Sequence, residues 1–218
     1  MYRLYAFMCL LLITSSGCLT TLLRDDFDGR SPNIINTNLQ GSIPGEPDGD
    51  RIALVHPTVI PVQEPQLTNQ SLRINNRVDF ELADHDAFGR YIVSWKGIQV
   101  NSPSANTLID FLNEDDEVVL TLHFDANDLE VLSSNATPPP QFNFQTDVVH
   151  QFTVVFIIQG TNGSTSYADI AVSEEIGNGR EWAKMPLLGN QIETLKTVRF
   201  RAEDSCPYVL DNLATNAN

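Results

Sequence analysis

The stretch NTLIDFLNEDDEVVLTLHFDANDLEVLSS, residues 106–134, decides the fold class. Val118, Leu120, Leu122 and Phe124 recur at every second position, so an extended chain here has one apolar face and one polar face. A helix would repeat its apolar residues every three to four positions, and no such run is present. Turn residues interrupt the alternation at 113–117 and again at 125–128. The segment therefore reads as a meander of three antiparallel strands.

The same grammar extends outward in both directions. RYIVSWKGIQV (90–100) sets Tyr91, Val93 and Trp95 on one face and Ile92, Ser94 and Lys96 on the other. SLRINNRVDFELAD (71–84) reads as one alternating strand region, with Val78, Phe80 and Leu82 opposed to Asp79 and Glu81. RIALVHPTVIPV (51–62) is extended but broken by Pro57 and Pro61, which donate no ladder hydrogen bond and point to a sheet edge. Downstream, 150–175 reads as two strands joined around Gly160–Ser164, and KTVRFRAED (196–204) opposes Val198 and Phe200 to Arg199 and Arg201. IGNGREWAKMPLLGNQ (176–191) reads as a long loop with a helical turn at most. PYVLDNLA (207–214) closes the fold, with Tyr208, Leu210 and Leu213 turned inward. Roughly ten short strands with frequent turn signals predict an all-β, two-sheet antiparallel β-sandwich.

The N-terminus has a different character. MYRLYAFMCLLLITSSGC (1–18) carries one positive charge at Arg3, then an apolar run too short to span a bilayer, then small residues ending at Cys18. That is the layout of a secretory signal. Its ending SSGC resembles the lipobox of bacterial lipoproteins, with Ser15 where leucine is usual. The resemblance implies cleavage after residue 17, lipidation at Cys18 and anchoring to a membrane in the bacterial cell envelope. Leu19, in place of a retaining aspartate, favours the outer membrane. The alternative is an ordinary signal peptide and a secreted product. The expected division is a signal peptide 1–17, a lipid-anchored tether 18–24, a sandwich 25–214 and a polar tail 215–218.

Thirteen basic and 28 acidic residues give a net charge of −15, and loss of residues 1–17 takes away only Arg3 among the charges. Such a surface repels phosphate backbones, so nucleic acid is excluded as a partner class. Past Cys9 in the signal, the chain holds only Cys18 and Cys206. Lipidation of Cys18 leaves Cys206 a lone thiol, whereas an unmodified Cys18 would be free to pair with it in an oxidising compartment.

Taken in order, DDFDG (25–29), EVVLTLHFDANDLEVL (117–132), HQFTVVFII with SYADIAVS (150–173), and TVRFRAEDSCPYVLDNLA (197–214) resemble the jelly-roll sandwiches of the concanavalin A-like lectin and glucanase superfamily, its laminin-G-like members in particular. The resemblance implies that the first strand lies beside the last, and it admits sugar binders, adhesion domains and glycan hydrolases alike.

The residues present discriminate among these. Asp79, Glu81 and Asp84 have the spacing of the acidic motif in hydrolases of this fold, but every carboxylate has the wrong length, and a solvated strand face explains them equally. His56, His85, His123 and His150 have no metal-ligand spacing, and no nucleophile elbow or phosphate loop is present. The chain thus reads as no enzyme. For sugar binding, an exposed aromatic platform is required, and Trp182 in its polar segment is the first candidate, Tyr167 the second. A structural calcium ion would use Asp25, Asp26 and Asp28 with Asp211, provided the terminal strands are neighbours. No other cofactor is implied. The reading that results is an exported, lipid-anchored envelope protein with a non-catalytic glycan- or ligand-binding sandwich. The alternatives are a structural or adhesive lipoprotein contacting another envelope protein, and a glycan hydrolase of the same fold.

Overall fold

Strand Gly89–Gln99 (β6) alternates as its sequence requires, with Tyr91, Val93 and Trp95 fully buried and their neighbours Ile92, Ser94 and Lys96 half-buried on the other face. The structure is a computed structural model. It describes residues 19–25, 51–54, 59–63, 70–74, 77–83, 85, 88–101, 106–125, 127–133, 140–159, 165–174, 179–189, 192–202 and 207–218. Around β6 stand β1 (Thr20–Asp25), β2 (Arg51–Leu54), β3 (Val59–Gln63), β4 (Gln70–Ile74) and β5 (Arg77–Glu81). They are followed by β7 (Asn106–Leu112), β8 (Val118–Asp125), β9 (Asp128–Leu132), β10 (Gln141–Asn143) and β11 (His150–Ile158). The last four are β12 (Tyr167–Glu174), β13 (Gly179–Pro186), β14 (Thr197–Arg201) and β15 (Tyr208–Ala217).

These strands form two antiparallel sheets, the predicted jelly-roll β-sandwich. The eight-stranded sheet runs β13-β12-β11-β6-β15-β4-β3, with β1 also paired to β15, and the seven-stranded sheet runs β10-β9-β8-β7-β14-β5-β2. The meander of 106–134 is β7, β8 and β9, paired in that order. β3, which carries Pro61, ends the eight-stranded sheet, the edge position that the missing donor requires.

Between the sheets lies an aromatic core. Trp95 stacks on Phe152 from the same sheet with centroids 4.8 Å apart, and meets Phe200 edge-on at 5.9 Å and Phe111 at 6.2 Å from the opposite sheet. Such contacts add roughly 0.5–1.5 kcal/mol per pair beyond the area they bury.

Four expectations are corrected. The stretch 71–84 is two strands, β4 and β5, which belong to different sheets. The tether is largely strand, because β1 pairs with β15 from Thr20 opposite Ala217 to Asp25 opposite Leu213, and Leu22 and Leu23 are core residues. The polar tail is strand too: β15 continues to Ala217, Thr215 and Ala217 are buried, and Asn218 exchanges two backbone hydrogen bonds with Arg90 at 3.1 Å. Alternation makes both stretches possible, since small Thr and Ala fill the inward positions while Asn216 faces out. Finally, 179–186 is the edge strand β13, not a loop.

Two bulges explain what the sequence pattern hid. Between Asp211, opposite Lys96, and Ala214, opposite Ser94, β15 carries one residue more than β6, so Asn212 and Leu213 together face Trp95. Asn212 has φ +53°, a left-handed conformation that Asn tolerates better than most residues. In β13 the register slips between Ala168 and Ile170 of β12, Lys184 takes φ +55°, and its N–H donates to Asp169 Oδ1 at 2.7 Å. Trp182 and Met185, three residues apart, thereby both point into the core.

Candidate functional site

The outward face of the seven-stranded sheet is polar, and register assembles its side chains. Leu108, His123, Glu130 and Gln141 stand opposite one another across β7, β8, β9 and β10. Same-face residues on adjacent strands lie about 5 Å apart, within hydrogen-bonding reach of these side chains. Gln141 Nε2 donates to Glu130 Oε1 at 2.5 Å, the other Glu130 oxygen lies 3.3 Å from His123 Nδ1, and His123 Nε2 lies 3.1 Å from Asn106 Oδ1. The His123 and Glu130 side chains remain 22% and 21% exposed, while Gln141 and Asn106 are open to solvent. The row is thus held in place and still reachable.

At the end of this row, beside the start of β9 and the end of β10, is a shallow depression lined by Asn127, Asn143, Phe144, Gln145 and Thr146. Its wall is fixed by backbone bonds: Phe144 N–H donates to Asn127 O at 2.5 Å and Asp147 N–H to Gln99 O at 2.9 Å, while Asp147 Oδ1 accepts from Asn101 N–H at 3.0 Å. Beneath it, the Phe144 ring stacks on buried His150 at 3.9 Å. His150 Nδ1 lies 3.0 Å from Val148 O, and Nε2 lies 3.8 Å from Glu174 Oε1. Burial pushes the His150 imidazole below its usual pKa, against the opposing pull of the Val148 carbonyl and the Glu174 carboxylate.

Further along the face, the charges are consumed internally. Asp79 accepts paired hydrogen bonds from Arg77 and Arg199, and Asp110 accepts from Arg201 and Thr121. Burial works to raise the Asp79 pKa, but the hydrogen bonds and charges of the two arginines outweigh it and hold the carboxyl below the usual range.

The residues singled out in the sequence are scattered. Trp182 is no exposed platform: it is 7% exposed, lies in the core cluster and meets Phe142 edge-on at 6.1 Å. Tyr167 is half-buried at the start of β12, in the eight-stranded sheet and so not on the face that carries the His123 row. Asp211 is buried at the β15 bulge, opposite Lys96, and accepts from Asn212 Nδ2 at 2.9 Å. Asp26, Asp28, Asp84, Cys18 and Cys206 lie outside the described residues, as does the 1–17 segment. Among the described residues no group of three or more His, Cys, Asp or Glu is placed to hold a metal ion. Glu81 stands opposite Thr197 on the outward face. The alternation of 118–124 already puts His123 on the outward face of β8, but its row is invisible in the sequence because the partners come from three other strands, β7, β9 and β10. The depression left a fainter signal in NFQTD (143–147), amides following a Pro-rich bridge.

No family model matches the chain, and no curated protein is similar to it. Among solved structures it is similar to the PL-14 alginate lyase from Aplysia kurodai, with TM-score 0.54 and 11% identity over 74% of this chain and 87% of the lyase. It is also similar to a seed lectin of Lotus tetragonolobus, with TM-score 0.49 and 9% identity over 70% of this chain and 89% of the lectin. A sialidase gives TM-score 0.43 at 13% identity over 67% of this chain, which spans only 15% of the sialidase. At these identities the likeness is one of fold.

Proposed function

We propose that the chain is an exported, lipid-anchored envelope protein whose sandwich binds glycan without cleaving it, through the His123–Glu130–Gln141 row and the adjoining depression. The observation that carries this reading is the row itself: a carboxylate, an imidazole and two amides, hydrogen-bonded in advance and still open to solvent. Sugar hydroxyls both donate and accept, so a surface offering acceptor and donor side by side suits them, and groups fixed on strands lose little further freedom on binding. Asp79 and Asp110 are matched by arginines, which supports a ligand without strong net charge.

A binding role is preferred over hydrolysis at Asp79 because both of its oxygens are taken by Arg77 and Arg199 and are not free to act on a sugar. A fold shared with an alginate lyase supports a polysaccharide ligand only by analogy. Titration against a glycan array tests the reading: Glu130→Gln and His123→Ala weaken binding about tenfold or more, the scale of a lost charge-assisted hydrogen bond. Binding unaffected by both substitutions, or none at all, overturns it. Intact mass of the mature protein tests the anchor. Acyl mass on Cys18 supports it, and a processed N-terminus with a Cys18–Cys206 disulfide refutes it.

A further inference from the structure

The connection from β10 to β11 closes on the first residue of the strand it leads into. His150 opens β11, faces the core and has no exposed surface. Two residues of its own connection hold the imidazole: Val148 O lies 3.0 Å from Nδ1, and the Phe144 ring stacks on its face at 3.9 Å. A carbonyl only accepts, so Nδ1 carries the proton and the neutral ring keeps a bare lone pair at Nε2. Among the described residues no hydrogen bond reaches Nε2, and the charged group facing it is Glu174 Oε1, another acceptor, at 3.8 Å. Two acceptors thus face each other in a dry site, where an unmade hydrogen bond is costly.

The other described groups packed on the ring carry no charge. Gly97 faces it from β6, with the Tyr208 hydroxyl beside that glycine and held neutral by burial. Phe152 lies 6.2 Å away on β11, and Phe144 covers the ring from the seven-stranded side, where it also meets Phe124 at 5.1 Å. The same connection forms the depression, whose lining runs from Asn143 to Thr146 together with Asn127. At its turn Asp147 takes φ +59°, and its N–H and Oδ1 bond Gln99 O and Asn101 N–H. A proton at Nε2 upsets this arrangement, because the new N–H needs an acceptor within about 3 Å and the ring must therefore move about 1 Å toward Glu174 or open to water. Both shifts disturb the stack on Phe144 and, through it, the depression.

We propose that His150 is a proton-operated catch on the depression: the neutral imidazole holds the 143–147 wall in the shape described, and a proton at Nε2 frees Phe144 and the wall, so that a ligand bound at neutral pH is let go in acid. The direction follows from linkage. Burial lowers the ring's affinity for a proton in the described arrangement, so proton uptake favours one in which the ring reaches water. The release of ligand rests on the binding reading above, and the movement of the wall does not.

Amide hydrogen exchange on the whole folded protein tests this, corrected for the intrinsic effect of pH on exchange and read from pH 7.5 to about 5. Protection of 143–147 falls by about tenfold or more, the scale of one pKa unit, while 91–95 and 118–122 stay unchanged. His150→Asn keeps a donor where Nδ1 stands, has no titrating nitrogen and abolishes the fall, whereas His123→Ala leaves it in place. In the parent, the midpoint of the fall coincides with the ring titration of His150 followed by NMR, a readout that stands even if His150→Asn fails to fold. An unchanged 143–147, a fall that disappears with His123→Ala, or midpoints that differ overturns the proposal. A glycan found on the array loses affinity with the same midpoint. Absence of any glycan overturns the binding reading alone, and a glycan held in acid over an unmoved wall overturns this inference alone.

Discussion

Trp95 Nε1 donates a 3.0 Å hydrogen bond to the hydroxyl of Tyr208 inside the sandwich, joining two strands 113 residues apart in sequence. The bond requires Gly97. A Cβ there would sit 1.9 Å from the Tyr208 oxygen and 2.5 Å from its ring carbon Cζ. Burial pushes the Tyr208 hydroxyl pKa far up, so it stays a neutral acceptor for the indole.

Tyr208→Phe strips Trp95 of its acceptor in a dry core and costs about 1–3 kcal/mol in urea unfolding. Gly97→Ala costs at least as much, about 1–3 kcal/mol or more of overpacking, and Tyr208→Phe does not rescue it because the ring carbon still clashes. An additive-neutral Gly97→Ala would contradict the packing described.

Trp182 separates core from ligand contact. Its Nε1 is buried and, among the described residues, finds no hydrogen-bond partner. Trp182→Phe is therefore within about 1 kcal/mol of the parent, whereas Trp182→Ala costs about 3–5 kcal/mol as a cavity. Glycan titration of the folded Trp182→Phe variant gives unchanged affinity.

The four residues TNAN at 215–218 support β1 on one side and β6 on the other. Deleting them leaves Leu22, Leu23 and Tyr91 at a broken edge and lowers the melting temperature by about 10 °C or more, read by circular dichroism. A tail that merely trails in solvent would be lost without effect.

His150 sets a pH dependence near neutrality. Its folded pKa lies below the ordinary 6.5, so the unfolded chain binds the extra proton first. Stability is fully present above 6.5 and is lost as pH falls through the folded value. Glu174 is the charged group facing it from β12, and Gly97 faces it from β6. Urea midpoints measured from pH 7.5 downward decline in the parent, and the decline flattens in His150→Gln.

Asp79 acts at lower pH with the same sign. Its folded pKa is depressed from 3.8, so its contribution is present above that value and disappears as pH falls through the folded one. Asp79→Asn leaves Arg77 and Arg199 without their shared carboxylate, destabilises at pH 7, and makes the midpoint less sensitive to acid. Equal acid sensitivity in both proteins would locate the effect elsewhere.

The sequence by itself determined which residues face the core in regular strands: Tyr91, Val93 and Trp95 in β6, Leu120, Leu122 and Phe124 in β8, Val198 and Phe200 in β14. A period of two is a local consequence of extended backbone, and burial of one face writes it into the chain. The neighbouring of first and last strands was also legible, though the pairing begins at Thr20, five residues ahead of DDFDG. Only the tertiary structure decided the rest. Whether 71–84 serves one sheet or two, and whether TNAN pairs or trails, depends on partners far away in sequence. Bulges at Asn212 and Lys184 shift the inward residues to a spacing of three, so β13 read as a loop and its tryptophan as a platform. The His123–Glu130–Gln141 row exists only because register sets separate strands side by side, and register is fixed by the burial of both sheets together.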